Sequence, residues 1–237
     1  MAHRGPDVCP FAGPPQRWDS ACPYGVSMTI HVLLSGFAPF GGAEVNESWQ
    51  AVRAAAARLR EQGLQVVELE LPVEFGTAIE QLSAAVREHR PQLVVATGLA
   101  AGRTQVTPER VAINVRDARI PDNAGDQPVD APVIPAGPAG YFTTLPIKAM
   151  VAALQEEPPI PAAVSQTAGT FVCNDVFYGL QHQLATETEL EGIRGGFVHV
   201  PAAQDLPVGE TAQALVRMVQ AALRTGEDAR LTGGAEH

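Results

Sequence analysis

Hydrophobic positions along this chain alternate between two rhythms. Ile30-His31-Val32-Leu33-Leu34-Ser35 is a nearly continuous apolar run, the form of a strand buried in a parallel sheet. It is followed by Gly36-Phe37-Ala38-Pro39-Phe40-Gly41-Gly42 and then by Trp49, Val52, Ala56 and Leu59 at helical spacing. The plan then repeats. Gln65 to Leu71 alternates like a partly exposed strand, Ile79, Leu82 and Val86 mark one face of a helix, and Leu93-Val94-Val95-Ala96-Thr97 suits a central buried strand. Strands separated by helices of this length predict right-handed βαβ units. The expected fold is therefore α/β: a single-domain three-layer α/β/α sandwich on a mostly parallel twisted sheet.

From Gly98 to Gly140 the rhythm changes. Thr107 to Asn123 alternates as one arm of an antiparallel hairpin excursion, before a Pro/Gly/Asp-rich stretch to Gly137. Long irregular insertions in compact domains tend to be functional or disordered. This one carries Glu109, Arg110, Arg116, Asp117 and Arg119, which a solvated, salt-bridged loop explains as readily as a site does. A helix through Ile147, Met150, Val151 and Leu154 then leads past Pro158-Pro159 to a second strand, turn and helix. Ala162-Ala163-Val164 reads as the strand, Gly169 lies in the turn, and Val172, Val176, Leu180 and Leu184 define the helix. Gly195 to Pro201 reads as a short strand ending at His199, and Leu215, Val219, Ala222 and Leu223 as a closing helix. The tail after Thr225 is polar and expected to fray.

Composition narrows the function classes. With 26 acidic against 16 basic residues and a formal charge of -10, a nucleic-acid backbone is excluded as the main partner. No apolar run approaches the ~20 residues needed to span a bilayer. Three cysteines are too few and too odd in number for a disulfide framework, which points to the cytoplasm. Residues 1–27 are rich in Pro and Gly, lack periodicity and hold no apolar core of a signal peptide. They are expected to be a disordered extension, with Met28 as the natural start and Cys9 and Cys22 outside the chemistry. That leaves 28–224 as one α/β domain and 225–237 as a polar tail.

The candidate chemistry centres on Cys173, placed in the first turn of a helix. Unpaired N–H groups and the helix dipole favour an anion there, so the thiol is expected to ionise more readily than a free cysteine; the alternative is a small buried apolar side chain. His199 stands at the carboxyl end of a strand, where parallel sheets present active residues. The glycine-rich turn after the first strand lacks both the Lys-Ser/Thr of a P-loop and the spacing of a dinucleotide fold. Phe37 and Phe40 in that turn make either a shaped apolar wall or ordinary core.

Several segments together resemble one family. They are Gly36-Phe37-x-Pro39-Phe40-Gly41-Gly42 with Asn46 and Trp49, the run from Gly102-Arg103 to Thr107-Pro108-Glu109-Arg110-Val111-Ala112-Ile113-Asn114 continued by Asp117-Ala118-Arg119-Ile120-Pro121-Asp122-Asn123, Gly140-Tyr141-Phe142-x-Thr144-Leu145-Pro146-Ile147-Lys148, Thr167-Ala168-Gly169-Thr170-Phe171-Val172-Cys173-Asn174, and Gly196-Phe197-x-His199-Val200-Pro201. In this order, from residue 28 to about 204, the chain resembles the pyroglutamyl peptidase I family of cysteine peptidases. The resemblance implies a cytoplasmic enzyme without metal or cofactor, a dimer or tetramer, acting on peptides with N-terminal pyroglutamate. It implies Cys173 as nucleophile, His199 as general base and acid, and Glu109 as the carboxylate orienting the imidazole. The backbone N–H groups of Cys173 and Arg119 would hold the oxyanion. Phe37 and Phe40 would wall the lactam pocket, with Asn46 supporting the loop. Ala38, Leu99 and Ala202-Ala203 depart from the family pattern, outside the triad. A catalytically silent lactam-binding relative and another α/β hydrolase or phosphorylase acting on a cyclic amide or nucleoside are the competing classes.

Overall fold

A computed structural model of the chain describes residues 31–234. The extension expected at 1–27, Met28 as a start, and Cys9 and Cys22 lie outside the described residues. Within them the central sheet has five strands: β1 (His31–Phe37), β2 (Gln65–Leu71), β3 (Leu93–Leu99), β4 (Thr107–Pro108) and β7 (Arg194–Val200). Their order is β2-β1-β3-β7-β4. All neighbours run parallel except β4, which lies antiparallel on β7. The apolar run chosen for the sheet centre is β3, buried from Leu93 through Gly98.

Helices cover both faces. On one, α1 (Glu47–Glu61), α3 (Ile147–Leu154) and α5 (Val208–Arg224) bury Leu59, Met150, Leu154, Leu215 and Val219 against Val32, Leu34, Leu93 and Val95. On the other, α2 (Thr77–His89) and α4 (Val172–Thr186) bury Leu82, Val86, Val176 and Phe177 against Leu33, Val94 and Phe197. Adjacent strand residues point to opposite faces, so each strand feeds both cores. The mostly parallel sheet and three layers follow from the alternation of strand and helix periods.

Three local expectations need correction. Thr107 to Asn123 is not one hairpin arm: Thr107–Pro108 joins the main sheet as β4, while β5 (Val111–Ile113) pairs antiparallel with β6 (Gly140–Phe142) in a separate small sheet. The excursion between β5 and β6 is cross-linked at Arg116 and Ala131. Ala162 to Val164 forms no named strand. It runs parallel to the outer side of β4, where Val106 N–H bonds the Pro161 carbonyl, Ala163 N–H that of Val106, and Ser165 N–H that of Pro108. Pro108 and Pro161 have no N–H to give, which breaks the ladder into isolated bridges. Residues 225–234 are docked rather than frayed. The Asp228 carboxylate accepts the Lys148 and Ala149 N–H groups at the open end of α3, and Arg194 donates to the Ala222 and Thr225 carbonyls at the end of α5.

Candidate active site

The sheet register brings the sequence-predicted residues together. Gly98 of β3 pairs with His199 of β7, and Thr107 of β4 pairs with His199 from the other side. Two residues beyond Thr107, Glu109 N–H bonds the Phe197 carbonyl at 2.9 Å. Backbone pairing thus presents the Glu109 carboxylate to the imidazole: Oε1 lies 2.7 Å from His199 Nδ1. A carboxylate oxygen only accepts, so Nδ1 carries the proton and Nε2 is the free acceptor. Both groups are buried, Glu109 completely. Asp117, the other acid in the charged stretch from Glu109 to Arg119, is exposed and bonded through its backbone to Thr170.

Cys173 enters from the other side, on the first turn of α4. Its Sγ lies over Gly98, the cross-strand neighbour of His199, so closely that a β-carbon on Gly98 would stand 2.8 Å from the sulfur. Any side chain there would occupy the place of the thiol. The N-cap residue just before the helix, Phe171, offers no capping side chain, leaving the first N–H groups of α4 unclaimed by a cap.

The electrostatics overturn one expectation. Burial pushes the Cys173 thiol up to about 12, and the Glu109 charge adds to the rise; the Arg103 charge and a backbone N–H oppose it without winning. The helix terminus is a partial charge felt over one turn, whereas the half-buried thiol packs against the apolar cluster that holds Phe197 and lies near a buried anion. Burial also depresses His199 below its ordinary value, against the upward pull of its hydrogen bond and charge pairing with Glu109. The resting pair is therefore a neutral thiol beside a neutral imidazole.

Beside the sulfur opens a cavity of about 350 Å³ whose lining includes Phe37, Phe40, Val73, Leu99, Phe171 and Cys173. Phe37 is a buried residue at the end of β1, while Phe40 is partly exposed and packs on Phe171 with ring centroids 5.5 Å apart. Phe171 in turn meets Phe75 edge-on at 5.2 Å. Asn46 is the N-cap of α1: its Oδ1 accepts from Ser48, and its Nδ2 donates to the Ala38 carbonyl at 3.0 Å, fastening the Phe37–Phe40 turn. The lining contains no carboxylate, and Arg119 is its single charged residue. Arg119 is exposed at the rim.

Residues given no role from the sequence hold this cavity open. Asp122 is buried and accepts the N–H groups of Phe75, Ala124 and Asp126 at 2.8–2.9 Å. Asn123 donates to the Pro39 carbonyl, tying the excursion to the β1–α1 turn. Asp175 accepts from Arg116 Nε at 2.5 Å and from Gly76 N–H at 3.1 Å, which binds the start of α2 to α4. Asn174 caps the strand edge by bonding the Ile113 N–H and carbonyl. Arg103 donates to Glu109 Oε1 at 2.7 Å. Burial raises the Asp175 carboxyl despite the Arg116 contact. Arg103, Asp122, Asn123 and Asn174 fall inside the segments that resemble the family, but residue type and spacing assign none of them a role. Among the described residues no group of three or more His, Cys, Asp or Glu is arranged to hold a metal ion.

Comparisons with known proteins point one way. A family model described as pyroglutamyl peptidase matches residues 30–229. The chain is 52% identical over 217 residues to the pyrrolidone-carboxylate peptidase of Streptomyces coelicolor, covering 87% of this chain and 99% of that protein. It is 48% identical to that of Klebsiella pneumoniae, with the same coverage. Among solved structures, pyroglutamyl peptidase I of Bacillus amyloliquefaciens superposes with a TM-score of 0.78 at 42% identity, covering 84% of this chain and 100% of that one. The pyrrolidone carboxyl peptidase of Thermococcus litoralis gives 0.78 at 31% identity, covering 86% and 100%.

Proposed function

The chain belongs to the pyroglutamyl peptidase family of cysteine-type hydrolases, and we propose that it removes N-terminal pyroglutamate from peptides with a Cys173–His199–Glu109 triad. The observation that carries this reading is the convergence on one spot of the sulfur over Gly98, the imidazole on the adjacent strand, and the mouth of an aromatic-walled cavity. In this reading the lactam ring occupies that cavity, and the exocyclic carbonyl carbon that joins it to the rest of the peptide lies at the sulfur.

Chemistry then follows from the neutral resting pair. As Cys173 Sγ attacks the scissile carbonyl, its proton passes to His199 Nε2, so the thiolate exists only while a bond to carbon is forming. Glu109 holds Nδ1–H and stabilises the imidazolium that results. The tetrahedral oxyanion faces the open N–H groups at the start of α4, with the Arg119 backbone as a second donor. His199 gives its proton to the departing amine, leaving a thioester. Water, deprotonated by the same Nε2, completes hydrolysis and returns the proton to sulfur.

Specificity has a charge argument. An open-chain glutaminyl or glutamyl N-terminus brings an ammonium group into a cavity without a carboxylate and with Arg119 at its edge. Desolvating that cation without a partner is unfavourable, whereas a lactam is neutral. Hydrolysis of a fluorogenic pyroglutamyl amide, blocked by iodoacetamide, tests the activity. Comparable kcat/KM for pyroglutamyl and glutaminyl amides would overturn the pocket assignment. Among the described residues no helix is long and apolar enough to cross a membrane, and cytoplasmic peptides are the substrates this reading implies. The family resemblance also implies a dimer or tetramer.

A further inference from the structure

We propose that Arg103 is a positioning residue of this site, which holds the Glu109 carboxylate against the His199 imidazole and supplies its counter-charge. The inference rests on the triad reading above. Glu109 is wholly buried, and both of its hydrogen bonds fall on one oxygen: Oε1 receives His199 Nδ1 and Arg103 Nη1, each at 2.7 Å. Oε2 has no partner among the described residues. Apart from the imidazole itself, Arg103 is the one cation paired with this anion among the described residues.

Local structure explains how the guanidinium arrives there. Beyond β3 the Ala100 N–H bonds the Val200 carbonyl and Arg103 N–H bonds that of Ala100, closing a turn that needs Gly102 at φ +89°. The side chain therefore folds back over β4. Nη1 also donates to Thr107 Oγ1 at 2.5 Å, and Nη2 to the Thr167 carbonyl at 3.0 Å. One planar fork thus joins the turn after β3, the acid's own strand and the segment leading to Cys173. A lysine ammonium preserves the charge and cannot span those acceptors in the same plane.

The charge has a consequence for the base. The charged and titratable groups facing His199 are Glu109 beside β4, Arg103 from the turn after β3, and Cys173 from α4. With Arg103 gone, the imidazole becomes the sole cation available to a buried carboxylate, and the imidazolium form is favoured. An imidazolium cannot accept the thiol proton. Arg103 is absent from the cavity lining, so its loss should act on the rate of chemistry and leave lactam binding alone.

The test compares full-length Arg103→Met, Arg103→Lys and His199→Ala on a fluorogenic pyroglutamyl amide across pH, with folding checked by urea denaturation. Arg103→Met should lower kcat about tenfold to a hundredfold at nearly unchanged KM, and move the acid limb of kcat/KM to higher pH. Arg103→Lys should return the limb toward its original position while recovering only part of kcat. A folded Arg103→Met with wild-type kcat, or with an acid limb that stays or moves down, overturns the proposal. Should Arg103→Met fail to fold, Thr107→Val removes one acceptor of the fork and keeps its charge. A kcat lowered about fivefold at unchanged KM would then support the proposal, and a wild-type kcat would overturn it. His199→Ala separates the two readings: activity retained there sinks the triad, whereas an inactive His199→Ala beside a wild-type-like Arg103→Met sinks only the role of Arg103.

Discussion

Replacing Gly98 by alanine should disable the nucleophile without touching any group that does chemistry. The added methyl would stand 2.8 Å from Cys173 Sγ and 2.9 Å from Phe197 Cζ. Phe197 cannot retreat, because it is fully buried and packed between Phe37, Phe177 and His199, with ring centroids 6.4, 6.1 and 4.9 Å away. The sulfur must therefore move. Restoring an ordinary contact of about 3.5 Å requires a shift of roughly 0.7 Å, and misplacement on the order of 1 Å costs about a hundredfold in rate. Overpacking should also remove about 1–3 kcal/mol of stability. Gly195→Ala is the matched control: its methyl would meet the tips of Leu184 and Leu180, at 2.9 and 3.2 Å, with Val94 Cβ at an ordinary 3.4 Å and no group of the site among its near neighbours. It should lose stability while keeping kcat/KM per folded molecule. Steady-state hydrolysis of a pyroglutamyl amide, normalised by urea-denaturation measurements of the folded fraction, reads both effects. A folded Gly98→Ala enzyme with kcat/KM within about twofold of wild type, a negligible change in barrier, would refute the placement of the sulfur over the strand.

Three further outcomes are expected. Because burial depresses His199, the acid limb of kcat/KM should fall below pH 6.5, and because the thiol is pushed up to about 12 the rate should stay flat past pH 9.0; a limb above 6.5 would mean that the imidazole is not held neutral. The same depression makes stability from His199 complete above 6.5 and lost as pH falls toward the folded value, which urea midpoints measured across that range will read. Phe171→Ala should weaken inhibition by the bare lactam 2-pyrrolidone by about tenfold, the value of one lost aromatic wall of roughly 1.5 kcal/mol, and an unchanged inhibition constant would remove Phe171 from the pocket.

What could be read from the sequence divides along physical lines. β2 at Gln65–Leu71 and the start of α4 beside Cys173 are legible because period and turn residues are local properties. Ala162 to Val164 misleads for the same reason: the apolar run is real, but two prolines on paired segments interrupt its ladder. The ionisation of Cys173 was set by what folds around it. A helix N-terminus is visible in one dimension, while packing against the cluster that holds Phe197 and the nearby buried Glu109 charge appear only when β3, β7 and α4 converge. Phe171 and Asp122 stay silent for a related reason, since their partners Phe40 and Phe75 lie far away along the chain, whereas Arg103 is only 6 residues from Glu109 and meets it only because the turn after β3 folds its side chain back over β4.

The division of labour between strands and turns bears on how such a protein can change. Glu109 and His199 are fixed relative to each other by main-chain hydrogen bonds between neighbouring strands, which do not depend on the identity of most side chains. The walls of the cavity hang instead on the turns after β1 and β2 and on the excursion between β5 and β6, joined by Asp122 and Asn123. Those turns can accumulate substitutions while the reacting atoms keep their spacing. Selection for a different small cyclic head group would thus find its raw material in the turns, leaving the hydrolytic apparatus as an inherited constant.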